Sequence, residues 1–77
     1  AGNVMKPRYY KFSIESWRFR WSETILRVEP SGRWSFLHYN HWYEYDHTTI
    51  SAKIYTNLDR YEISEDDVEA EQMLELL

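Results

Sequence analysis

Cysteine is absent from the 77 residues, which excludes disulfide staples and thiolate metal sites. Its absence also removes the usual mark of a small secreted scaffold. Glycine and proline number two each. Gly2 and Gly32 lie too far apart to form a phosphate-cradling loop, and such scarcity argues against disordered or linker-rich stretches. No apolar run reaches the length of a membrane span and no signal-peptide core opens the chain, so the expected location is cytoplasmic with no membrane contact. With no repeat and no linker, a single small domain over 1–77 is expected, with 1–7 as a flexible N-terminal segment.

What the chain has in quantity is aromatic surface: four Trp, seven Tyr and three Phe. A domain this small buries a low fraction of its surface, and large rings build a core from few residues. Together with neighbouring β-branched residues they favour strands. The net charge of −4 is unevenly spread: residues 1–58 carry eight bases and five acids, whereas 59–77 carry eight acids and only Arg60. The body is mildly basic and the tail strongly acidic.

Apolar alternation begins with Tyr10, Phe12 and Ile14, then slips by one so that Trp17, Phe19 and Trp21 carry the apolar side. A bulge, or two separate strands, would produce that slip. Around Glu29–Pro30–Ser31–Gly32 the residues suit a tight turn, with Gly32 free to take a positive φ. A three-residue loop there sets Glu29 opposite Arg33, Val28 opposite Trp34 and Leu26 opposite Phe36. The stretch Arg33–Tyr45 is apolar on both faces, with Trp34, Phe36 and Trp42 on one and Leu37, Tyr39, Tyr43 and Tyr45 on the other. It is therefore expected to be one central strand. Ile50, Ala52 and Ile54 alternate with Ser51, Lys53 and Tyr55, which predicts a further strand over Thr48–Thr56.

A helix is predicted over 65–77. Ser64 suits its N-cap, Asp67 suits the reciprocal capping position, and Ile63 with Val68 matches a hydrophobic staple. Glu65, Asp66 and Asp67 fill the first turn, where the helix dipole favours anions. Ala70, Met73, Leu74 and Leu77 share one side; Glu71, Gln72 and Glu75 share the other. The expected fold is α+β: a small antiparallel sheet of about four strands with the acidic C-terminal helix packed on one face.

Few residues suggest chemistry. His38, His41 and His47 lack metal-ligand spacing, and on a continuous strand His38 and His41 point to opposite faces. No nucleophile elbow surrounds any serine, and the acids cluster on the helix away from any evident cleft. No catalytic residue, cofactor or metal is expected, and the chain reads as a non-enzyme. Trp17, Arg18, Arg20 and Trp21 resemble a single-stranded nucleic-acid strip in composition. Alternation, however, sends the rings to one face and the arginines to the other. That pattern, with the overall acidity, makes direct nucleic-acid binding the alternative and not the preferred reading.

The preferred reading is a non-catalytic protein-interaction module acting as a regulator, inhibitor or assembly factor of a larger protein. One short helix covers one sheet face, so the tyrosine-bearing face calls for the N-terminal strand, a second copy or a partner. Tyr39, Tyr43 and Tyr45 are the expected aromatic anchors, and Glu71 and Glu75 the electrostatic selectors. Like-charge pairs such as Glu65–Glu69 and Glu71–Glu75 weaken an isolated helix, and a basic surface would offset them. That surface could belong to the chain's own sheet or to a partner, including a nucleic-acid enzyme whose basic groove the acids would fill in place of phosphates. A homodimer is the other candidate assembly.

Overall fold

The computed structural model describes residues 6–16 and 20–75, with side chains described for 6–14 and 23–74. Most of the expected flexible segment 1–7 lies outside them. The architecture is α+β, a five-stranded antiparallel sheet with a C-terminal helix. Its strands are β1 (Arg8–Ser16), β2 (Arg20–Val28), β3 (Trp34–His38), β4 (His41–Glu44) and β5 (Glu62–Ile63), in the order β4-β3-β2-β1-β5.

The slip in alternation near Glu15 marks a reversal, since Ser16 pairs with Arg20 across the connection. At the next turn the register follows the turn chemistry: Val28 pairs with Trp34 and Leu26 with Phe36. Gly32 N–H donates to the Glu29 carbonyl at 2.8 Å, and Gly32 takes φ +93°. That left-handed value is inexpensive only for glycine.

The expected single strand Arg33–Tyr45 is instead a hairpin. Tyr39 and Asn40 have φ of +49° and +60°, the signature of a two-residue turn twisted to match its strands. His38 therefore pairs with His41, Leu37 with Trp42 and Phe36 with Tyr43. This reverses the parity after Asn40: Tyr43 joins Phe36 on one face and Trp42 joins Leu37 on the other. β3 is central, with Ser35, Phe36 and Leu37 buried, whereas β4 is a sheet edge.

Thr48–Thr56 is not a strand: it holds two short helical turns joined by Ile50 and Ser51. Asp46 accepts from the Thr48 N–H at 3.0 Å and from the Thr48 hydroxyl, starting a 3₁₀ turn at His47–Thr49. Those bonds, the hydroxyl's first, hold the Asp46 carboxyl below its ordinary 3.8. Ser51 caps α1 (Ala52–Thr56) by accepting from the Ile54 N–H at 3.3 Å, and a second 3₁₀ turn spans Leu58–Tyr61. Two polar caps in quick succession favour helical starts over a ladder.

The chain thus leaves one sheet edge at β4, crosses a face, and adds β5 at the opposite edge, where Tyr9 pairs with Ile63. Ile50, Ile54, Leu58 and Tyr61 from the crossing close over Tyr10, Phe12, Ile14, Leu26 and Phe36. Leu26 and Phe36 are wholly buried there. The chain itself covers the face for which the sequence calls for a cover.

α2 (Glu65–Glu75) covers the other face. Ser64 Oγ accepts from the Asp67 N–H at 3.2 Å while the Asp67 carboxylate accepts from the Ser64 N–H at 3.3 Å, the reciprocal cap expected. Val68 packs with Ile25 and Leu37, flanked by Ile63, Tyr9 and Trp42. No helix among the described residues is long and apolar enough to cross a membrane.

Candidate interaction surface

The way α2 meets the sheet decides which of its side chains are available. Beneath it the sheet offers a small apolar island, Ile25 and Leu37, beside the ammonium of Lys11, which lies opposite Ile25 in the register. Val68 fills the island and is only 3% exposed. One turn later Glu71 accepts a 2.7 Å bond from Lys11 Nζ, which also meets Glu23 at 3.3 Å. The bond to Glu71 is the main reason Lys11 holds its proton above its ordinary 10.5. Gln72 Nε2 reaches Asn40 Oδ1 at 3.5 Å, tying the helix to the β3–β4 turn.

Val68, Glu71 and Gln72 therefore face the sheet, and the apolar stripe is turned the other way. Ala70 is exposed, Met73 is 68% exposed and Leu74 is 62% exposed. An ordinary amphipathic helix buries its apolar stripe; here a polar side is inward because the sheet supplies a cation to meet it. Asp66 lies at the head of the stripe and Glu69 along its flank, at i−4 from Ala70 and Met73 respectively.

The remainder of that sheet face closes on itself. Arg27 lies 4.4 Å from the Trp42 ring centroid, and Tyr9 and Trp42 meet at 6.3 Å. Burial, with Glu65 next in effect, raises the Tyr9 hydroxyl above its ordinary 10.0. Toward the sheet end Arg33 bridges Glu29 at 3.9 Å and Glu44 at 3.6 Å.

The tyrosines do not form one face. Tyr39 sits at the hairpin tip, 80% exposed, with its ring 4.3 Å from that of His38. Tyr43 is on the edge strand, 42% exposed, near His38 and His41. Tyr45 is half-buried against Phe36 at 6.0 Å and belongs to the core's margin. Of the acids, Glu71 is engaged by Lys11, and Glu75 belongs to α2 but its side chain lies outside the described residues. Trp17 and Arg18 fall outside them as well; Arg20 and Trp21 are placed in β2 by their backbone alone.

Comparison with known proteins finds no matching family model, curated protein or solved structure.

Among the described residues no cluster of His, Asp and Glu has the makings of a metal site. A shallow cleft of about 310 Å³ lies between Gly32, Arg33, Trp34, Glu44, Tyr45, Asp46 and His47. Its charged groups are engaged: Glu44 with Arg33, and Asp46 with Thr48. Trp34 stacks on Tyr55 at 5.9 Å, and His47 stands edge-on to Trp34 at 6.3 Å. The sequence pattern exchanges Trp42 and Tyr43 between faces, and the side of α2 it offers to a partner, with Glu71 as a selector, is the side that meets the sheet. The signal that could have reversed the second of these was Lys11, alternating onto the same face as Tyr9 and able to draw an acid inward.

Proposed function

We propose that this chain is a non-catalytic interaction module that regulates, inhibits or assembles a larger protein. The observation that carries this reading is the outward stripe Ala70–Met73–Leu74, a contiguous apolar surface on a helix that already packs through its other side. Exposed apolar residues grouped on one helix face in a small domain are what helix-in-groove recognition uses, with anchors at i, i+3 and i+4. Tyr39 adds an exposed ring next in sequence to Asn40, which bonds the helix. Tyr43 lies farther along the hairpin and is a secondary anchor.

The experiment is a comparison of baits in host lysate: the native chain, Met73→Ser/Leu74→Ser, and Arg18→Ala/Arg20→Ala. A stoichiometric partner held by the native chain and the arginine variant, but lost from the serine variant, supports the reading. Identical retention by the serine variant refutes it, and loss only from the arginine variant transfers the role to the basic strand.

A further inference from the structure

We infer that the occupant of the α2 stripe is an apolar groove rimmed by lysine and arginine on a different protein, and not a second copy of this chain. The inference rests on the interaction reading above and names the chemistry of the partner. α2 contains Glu65, Asp66, Asp67, Glu69, Glu71 and Glu75 and no basic residue. Lys11 answers Glu71 and the N-cap exchange engages Asp67. Among the described residues, Asp66 and Glu69 are exposed beside the stripe without an ion-pair partner. An apolar ligand surface bordered on its outer side by anions is complemented by an apolar floor with cations at its rim.

Self-association fits that surface poorly. Parallel apposition of two α2 stripes sets Glu69 against Glu69. Antiparallel apposition separates Glu69 from its copy but still lays side by side two helices that carry acids and no basic residue. Either arrangement brings like charges together at a contact whose apolar part, among the described residues, is three side chains. The chain's own basic cleft, formed by Lys6, Pro7, Arg8, Val28, Glu29 and Pro30, is a different surface. α2 of one copy docking there on the next would be a head-to-tail contact, closing only if its rotation makes a ring. An anionic bilayer or a nucleic-acid backbone repels the same flank.

The test uses the intact ¹⁵N-labelled chain and two synthetic amphipathic peptides of about 18 residues, long enough to hold a helix. Both share one leucine stripe; one is flanked by lysine and the other by glutamate. The lysine peptide is expected to shift the amides of 66–74 saturably, with affinity at least about tenfold above the glutamate peptide. Asp66→Lys/Glu69→Lys is expected to reverse that order, and Met73→Ser/Leu74→Ser to abolish binding of either peptide. All four substituted side chains are exposed, and circular dichroism checks that the variants fold. Sedimentation of the native chain alone is expected to show monomer at all concentrations.

Equal binding of the two peptides, shifts located away from α2, or an order unchanged by the lysine substitutions overturns the inference. A concentration-dependent dimer abolished by the serine variant also overturns it, while leaving the interaction reading standing with a second copy as occupant. If neither peptide nor copy engages the stripe and the serine bait loses nothing from lysate, the interaction reading falls as well.

Discussion

Replacing Val68 and Leu74 by alanine, one at a time, separates the two possible seatings of α2. Val68 is 3% exposed against Ile25 and Leu37. Val68→Ala deletes two methyl groups at about 0.8 kcal/mol each and leaves part of a cavity. Alanine's better helix propensity returns about 0.5 kcal/mol, so the net loss is about 1.5–2 kcal/mol. A domain of this length has a total stability of about 4–12 kcal/mol, so the loss is a large fraction of it. With a urea m-value of about 1 kcal/mol/M, the unfolding midpoint falls by about 1.5–2 M at unchanged slope. Leu74, 62% exposed, is the larger side chain, yet Leu74→Ala is expected to stay within about 0.5 kcal/mol of the native protein. A helix seated by its apolar stripe would give the opposite ranking, with Leu74→Ala costing about 2–5 kcal/mol. That ranking, read from urea curves followed by tryptophan fluorescence, would refute the packing described here.

Further outcomes follow from other contacts. Ser64→Ala removes the acceptor for the Asp67 N–H and is expected to cost about 1 kcal/mol by thermal unfolding. Tyr39 and Asn40 both occupy left-handed backbone, so Tyr39→Asn/Asn40→Gly should raise stability by about 0.5–1 kcal/mol; a fall would show that the Tyr39 ring or the Gln72–Asn40 bond contributes more than the turn costs. Lys11 and Tyr9 both have raised values in the folded state, the first mainly through Glu71 and the second mainly through burial. Their contributions are therefore complete below about pH 10 and are lost as pH rises through the folded values. Tyr9→Phe should flatten part of the alkaline fall in unfolding midpoint and Glu71→Gln should remove another part; unchanged profiles in both variants would contradict these assignments.

Some of this architecture is legible in the residues themselves. Pro30 and Gly32 announce their turn through φ, and Ser64 with Asp67 announces a helix start through paired hydrogen bonds. In both cases one local interaction dominates. The Tyr39–Asn40 turn carries no glycine or proline, and the aromatic run around it hides the reversal; once missed, it exchanges the faces of Trp42 and Tyr43. Ile50 and Ile54 are spaced by four, which fits two strand periods as well as one helical turn. The caps at Asp46 and Ser51 decide between them, together with the need to cross a face to reach β5. The seating of α2 depends on Lys11, some sixty residues earlier in the chain, and no local pattern conveys it. For the candidate surface, acids beside apolar residues are visible at helical spacing, but which side is free emerges only from the packed sheet.

The absence of cysteine permits the most direct test of which side of α2 faces solvent. Val68→Cys and Leu74→Cys each introduce a single thiol, and reaction with a disulfide reagent under native conditions reports its accessibility. The Leu74 thiol should react at close to the rate seen in the unfolded chain, and the Val68 thiol should be slowed by orders of magnitude until denaturant is added. A protected thiol at 74 beside a freely reacting one at 68 would mean that the apolar stripe lies against the sheet, and the proposed docking surface would not exist.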